Sequence, residues 1–220
     1  MPSAARLALT NNLKDIDGLL ELHVLKGGLK RGRRFGLEVV NKSAVVLLTA
    51  FWEAYCEDLA AEALEFLVKA TKSADALPIG LRQQVAKDIK AHPNEIEPWR
   101  LAGEGWREYL AVRLGDLRKK RNWDLMTPKS DNIDKLFQSV MGIERMSGNW
   151  SFSRLPAENV RKRLDDFVSL RGNIAHRGRH SKSVKKAEVE EYRKLITRLA
   201  ARTGGVVNRT VRKATGKFMW

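Results

Sequence analysis

EVVNKSAVVLLTAFWEAYCEDLAAEALEFLVKATK, residues 38–72, carries the longest helical pattern in this 220-residue chain. Between Lys42 and Glu57 it is apolar nearly all the way round, which is what a helix surrounded by other helices requires. Upstream, the spacing predicts a first helix from Ser3 to Lys26, with Leu9, Leu13, Ile16, Leu19, Leu20 and Leu25 towards one face. The stretch GGLKRGRR (27–34) ends it as a basic, glycine-rich connector, either plainly solvated or laid along a phosphate backbone. Downstream, Pro78 opens PIGLRQQVAKDIK, Pro93 and Pro98 punctuate the chain after that segment, and a further helix is expected from about Glu104 to Lys120.

Residues 122–128 read as a loop. Ser130 or Asp131 is then expected to cap a short helix whose Ile133, Leu136, Phe137 and Val140 fall at i, i+3, i+4 and i+7, with Gly142 as its stop. Pro156 stands where a first helical turn tolerates it. It begins PAENVRKRLDDFVSLRGNIAHRG, with Val160, Leu164, Phe167 and Val168 as the core face and Gly178 as the end. In a last helix Val189, Tyr192, Leu195, Ile196 and Leu199 line one side. The pair Gly204-Gly205, after Thr203, is expected to end it and to leave VVNRTVRKATGKFMW as a basic tail. No stretch alternates with period two for long enough to form a sheet. The expected fold is all-α, a single domain over 1–220: an N-terminal helix and linker (1–34), a helical core (35–202) and a basic tail (203–220).

Charge narrows the function. The chain holds 41 Lys and Arg against 26 Asp and Glu, a formal net charge of +15. From Val160 to Trp220 there are 17 basic and 5 acidic residues, so this last part carries nearly all of the excess. Polyanions are the expected partners. The single cysteine, Cys56, excludes an intramolecular disulfide and a cysteine-based zinc cluster. No signal-peptide core precedes Lys14 and Asp15, and Ser43–Cys56 is too short for a membrane span, so a cytoplasmic protein without membrane contact is expected. A Gly-x4-Gly-Lys-Ser/Thr loop, a His-Glu-x-x-His pair and a Gly-x-Ser-x-Gly elbow are all missing, which disfavours metal hydrolysis and acyl transfer. No metal and no cofactor is expected.

What remains is Arg171-Gly-Asn173-Ile-Ala-His176, at the C-terminal end of an amphipathic helix within the most basic part of the chain. Asn173 and His176, three apart, share a helix face. Arg171 and His176 are about 140° apart around an ideal helix, so they converge only through the long Arg side chain or a loosened helix end. An imidazole exchanges protons with ribose and leaving oxygens near neutral pH. A guanidinium holds a phosphate and offsets charge developing on it. The plainer reading makes His176 a helix-end residue favoured by the dipole and Arg171 a solvated cation. Glu53, the sole charge from Ala44 to Cys56, also has two readings. As a buried carboxylate it needs a cation, for which Arg171 is the candidate; otherwise it lies with Glu57 on a thin exposed stripe. Arg177, Arg179, Lys182, Lys185 and Lys186, in and beside the loop after this helix, are candidate RNA contacts. Trp106, Trp123, Trp150 and Phe152 read as core or loop anchors, Trp123 and Trp150 with the alternative of stacking on bases.

Three of these features together resemble the RiboL-PSP branch of the HEPN superfamily: RGNIAH following LDDFVSL, the helix LLTAFWEAYCEDL, and the closing ATGKFMW. The similarity spans about residues 35–220. It implies a HEPN-type antiparallel helical bundle with extra helices. It further implies a homodimer that brings two Arg-x4-His motifs into one cleft. The implied activity is metal-independent cleavage of RNA to a 2′,3′-cyclic phosphate and a 5′-hydroxyl, often in toxin or phage-defence roles with an antitoxin or regulatory partner; the alternative is a non-catalytic RNA-binding or protein-assembly module that keeps the motif as a phosphate clamp. Under it Arg171 and His176 are catalytic, Asn173 supports them, and Glu53 matches the branch's helix motif. Relatives silenced by adenylylation carry a Tyr two residues after the His. Gly178 stands there in this chain, so that mode of control is not implied.

Overall fold

The computed structural model describes residues 2–27, 37–119, 125, 127–152, 155–177 and 183–220; for 23–27, 176 and 177 the backbone alone is described. The basic connector 28–36, Trp123 and the loop residues 178–182 lie outside this set. The described α-helices are α1 (Ala4–Gly27), α2 (Glu38–Ala70), α3 (Ile79–Lys90), α4 (Gly105–Lys119), α5 (Ser130–Met141), α6 (Ala157–Arg177) and α7 (Lys186–Thr215). The fold is all-α. Among the described residues the sole β-type pairing is an isolated bridge between Phe152 and Leu155.

α2 is the axis. It packs against α1, α4, α5, α6 and α7, which is why its sequence lacks a polar face. Val45, Leu48, Trp52, Cys56, Leu59, Ala60, Ala63, Leu64 and Leu67 are fully enclosed. Trp52 stacks on Tyr55 with centroids 5.8 Å apart and meets the edge of Trp150 at 5.9 Å. Both partners are anchored to α7: Tyr55 Oη donates to Ala200 O at 2.7 Å, and Trp150 Nε1 donates to Thr203 Oγ1 at 3.0 Å. Tyr55 and Trp150 thus pair their polar tips, whereas Trp52 Nε1 is buried without a hydrogen-bond partner. Near the other end, Asn41 Nδ2 donates to Val184 O at 2.8 Å. These ties advance along both chains together, so α2 and α7 run in the same direction.

The expected stop at Gly204-Gly205 is a correction: α7 continues without a break to Thr215, and Gly216 (φ 73°) ends it. Residues 203–215 are therefore helix, not tail. Gly204 is buried opposite Tyr55, where a Cβ would come within 3.1 Å of the hydroxyl, so this glycine serves close approach rather than termination. Val206, Val207 and Val211 carry the buried face onward. The last residues fold back, with Met219 N–H donating to Asn208 Oδ1 at 2.9 Å.

Capping of α5 also differs from expectation. Lys129 occupies the cap position and no side chain there bonds the helix. Asp165 of α6 supplies the acceptors instead, taking Ser130 N–H at 2.7 Å and Ser130 Oγ–H at 2.8 Å. Asp134 repeats the arrangement on Ser147, with N–H and Oγ–H both at 2.6 Å. Gly142 ends α5 at φ 71° as its sequence position predicts, and packs so closely on α3 that a Cβ on Gly80 would sit 2.2 Å from its carbonyl oxygen. Asp165→Ala removes two charge-assisted bonds and exposes none of the core, so we expect a loss of about 1–3 kcal/mol in urea unfolding; a change indistinguishable from zero would show that water replaces the carboxylate.

Candidate functional site

α6 carries the motif in its last two turns. Val160, Leu164 and Phe167 are enclosed, and the same stripe continues at i+4 and i+3 to Arg171 and Ile174. Arg171 thus occupies a core-facing register position, and its side chain enters the boundary with α2. Its Nε is buried and has no hydrogen-bond partner. Opposite, α2 presents Glu53, half-buried, and Glu57, which is 5% exposed, one turn further on.

Electrostatics resolve the two readings of Glu53. Its carboxyl is pushed up from the ordinary 4.5 to about 7, mainly by burial and next by the Glu57 charge, while Arg171 pulls it back down. Arg171 is thus the cation near enough to act on Glu53. Yet no ion pair joins the two among the described residues. The carboxyl remains poised between its protonated and ionised forms near neutral pH, and the guanidinium keeps donors for another acceptor. The like-charged neighbour Glu57, four residues from Glu53, is buried, against the alternative reading that set both on an exposed stripe.

The other expected site residues are more dispersed. Asn173 is exposed on α6, half a turn beyond Arg171. His176 and Arg177 belong to the last helical turn, and their side chains lie outside the described set; Arg179 and Lys182 lie wholly outside it. Lys185 is exposed, and its backbone N–H donates to Glu188 at 2.7 Å. Lys186 is 3.5 Å from Glu190. Trp150 is completely enclosed, as is nearly all of Trp106, which removes Trp150 as a platform for bases.

The chain belongs to the RiboL-PSP-HEPN family, whose model matches residues 9–208. This range corrects the extent read from the motifs: most of α1 falls inside the family's region, whereas ATGKFMW falls beyond it. No curated protein and no solved structure matches the chain closely enough to add to that assignment.

The raised Glu53 carboxyl makes stability pH-dependent. The folded chain holds this proton to higher pH than the unfolded chain, so ionisation costs stability as pH rises from 4.5 through about 7. Glu53→Gln removes that cost. Allowing for solvent screening at a half-exposed group, the variant should be more stable than the parent by about 1 kcal/mol at alkaline pH, or ~2–4 °C in Tm. The gain should vanish in acid. An equal gain at both ends of a thermal-melt pH series would assign it to packing instead.

Proposed function

We propose that the chain is a metal-independent endoribonuclease of HEPN type that acts as a homodimer. The observation that carries this reading is the placement of Arg171, the first residue of the family's Arg-x4-His motif. It is seated in the α2–α6 boundary and held there by partial burial, and it is drawn towards a carboxylate without being consumed by it. Such a guanidinium is pre-organised to receive a phosphate.

In the reaction, a ribose 2′-oxygen attacks the adjacent phosphorus. The O2′–P bond forms, the P–O5′ bond breaks, and the products are a 2′,3′-cyclic phosphate and a 5′-hydroxyl. One proton leaves the 2′-oxygen and one must reach the departing 5′-oxygen. His176 is the group for this exchange near neutral pH. A single imidazole cannot hold both states at once, so two copies, one as base and one as acid, suit a site shared across a two-fold axis. Asn173, exposed on the same turn, orients the phosphate or the imidazole. Glu53 is a positioning residue that acts through Arg171. A toxin or phage-defence role fits such an activity, with a regulator that does not depend on a tyrosine at position 178.

Incubation of the purified chain with total RNA in EDTA, followed by mapping of both ends, tests the proposal. We expect cleavage that survives chelation and leaves cyclic phosphate and 5′-hydroxyl ends. Arg171→Ala and His176→Ala should each lower the cleavage rate by ~10²–10⁴-fold with unchanged circular dichroism. Cleavage equal to the parent in both variants, or ends of another chemistry, would overturn the assignment. RNA that is bound but never cut would make the motif a phosphate clamp.

A further inference from the structure

We infer that the exposed face of α7 is a second RNA-binding site, a track for the phosphate backbone separate from the Arg-x4-His motif. This rests on the reading that the chain acts on RNA, and adds where the strand is held. After Glu191 the chain contains no Asp or Glu, yet it contains Arg193, Lys194, Arg198, Arg202, Arg209, Arg212, Lys213 and Lys217. Because 203–215 are helical, these residues acquire a fixed geometry. At about 100° per residue, Lys194, Arg198, Arg202, Arg209, Arg212 and Lys213 fall within an arc of roughly 100° and extend about 28 Å along the axis. The buried residues Ile196, Leu199, Thr203, Val207 and Val211 occupy the opposite side.

All six cations are exposed, and none has an acidic partner among the described residues. Elsewhere several arginines are engaged, although exposed cations such as Lys87, Lys90, Lys162 and Arg163 also have no acidic partner among the described residues, so what sets α7 apart is the alignment of its unpaired cations. Arg100 is paired with Glu97, Arg107 with Glu104, Arg113 with Asp88, Arg118 with Glu65, and Arg161 with Asp131. On α7 itself, Arg193, which points off the stripe, is paired with Asp17 at 2.6 Å. The helix dipole favours Arg212 and Lys213 in the last turn, but repeated like charges at i and i+4 oppose helix formation, so folding gives no reason for Lys194, Arg198, Arg202 and Arg209. A ligand with regularly spaced negative charges does.

Two features favour a polynucleotide over other anions. The gaps between the cations are filled by Ala201 and Gly205 rather than by bulky apolar groups, so apart from Phe218 beside it this face offers little to insert into a lipid surface. Aromatic rings lie beside the stripe: Arg212 sits 4.2 Å over the ring of Phe218, which is 51% exposed, and Arg198 lies 5.8 Å over Phe152. An exposed ring next to a row of cations is the arrangement that single strands use for stacking. Two such stripes repel one another, so a second copy of the chain does not cover this face.

The test uses the full chain and a single-stranded 2′-O-methyl oligoribonucleotide long enough to span the helix, which cannot be cut because it lacks the nucleophile. Fluorescence anisotropy is measured against salt concentration. For Arg198→Gln/Arg202→Gln/Arg209→Gln, affinity should fall about tenfold near physiological salt, and the slope of log K against log salt should flatten by about 2. The control Arg82→Gln/Lys87→Gln/Lys90→Gln removes the same charge from α3 and should change neither by more than about twofold. Equal losses in both triples would reduce the effect to net charge and overturn the track. So would an α7 triple that loses binding to phosphatidylglycerol vesicles while keeping its RNA affinity. On cleavable RNA the α7 triple should raise KM and leave kcat alone, whereas His176→Ala should abolish turnover and keep binding. A chain that binds through α7 but cuts nothing retains the track and loses the nuclease. A chain that cuts normally with binding unchanged in the α7 triple does the reverse.

Discussion

A helix packed against five others, with a thin exposed line at Val39, Ser43 and Ala50, is the constraint on which the rest of this architecture depends. Once α2 is enclosed on nearly every side, each polar group along it must find a partner in a neighbouring element or bear the cost of desolvation. Tyr55 meets that demand on α7. The residues that touch α2 are fixed by it in turn: the Trp52–Tyr55–Trp150 cluster sets where α7 and the segment after α5 can lie. Asn41 Oδ1 and Trp52 Nε1 bear the desolvation cost unpaired, and Glu53 is a charged residue for which the demand is only half met. It is far enough inside to lose hydration, has a second carboxylate one turn away, and faces a cation that stops short of contact.

On the proposed nuclease reading, that incomplete satisfaction is what a functional arrangement needs and a structural one does not. A closed Glu53–Arg171 pair would hold the carboxyl low, saturate the guanidinium and lock α6 to α2. The arrangement found holds the carboxyl near neutrality and leaves donors on Arg171. The Asp165–Ser130 and Asp134–Ser147 pairs offer an internal contrast. Each uses both carboxylate oxygens on one serine's N–H and hydroxyl, and each simply fastens a helix or turn. The same protein therefore closes its carboxylates where it needs rigidity and leaves one open beside the motif.

Much of this was legible from residue order. The all-round apolar run in α2, the stripe Val160-Leu164-Phe167-Val168, and the αL stop at Gly142 come from local rules, and all three hold in the structure. What local rules missed are contacts between elements distant in sequence. Gly204-Gly205 looks like a terminator because glycine is a poor helix former, and nothing nearby reveals that Tyr55, about 150 residues earlier, needs the space. Ser130 looks like its own cap because a carboxylate from α6 cannot be seen from α5. Trp150 sits in a polar stretch, so its complete burial depends on Trp52 and Thr203, neither of which is close in sequence. For the site, sequence supplied Glu53 and Arg171 and their mutual attraction, but not the balance that leaves the attraction losing to burial and to Glu57.

The continuation of α7 past its glycine pair also changes what the basic C-terminal region is. As an irregular tail, its cations would form a diffuse field that attracts any polyanion and orients none. As roughly three and a half further turns of helix, the same charges lie in a line, at intervals that the helix dictates and, among the described residues, with no carboxylate paired to them. Order of this kind costs folding energy through repulsion between neighbours, and it converts a non-specific attraction into a direction. A strand held along α7 has a defined path across the molecule. If the chain acts on RNA as proposed, the motif at the end of α6 then needs to recognise one phosphodiester, not to supply the affinity for the whole RNA. Division of labour between a long, salt-sensitive track and a compact site with one half-buried arginine is the physical arrangement towards which the charge distribution of this chain points.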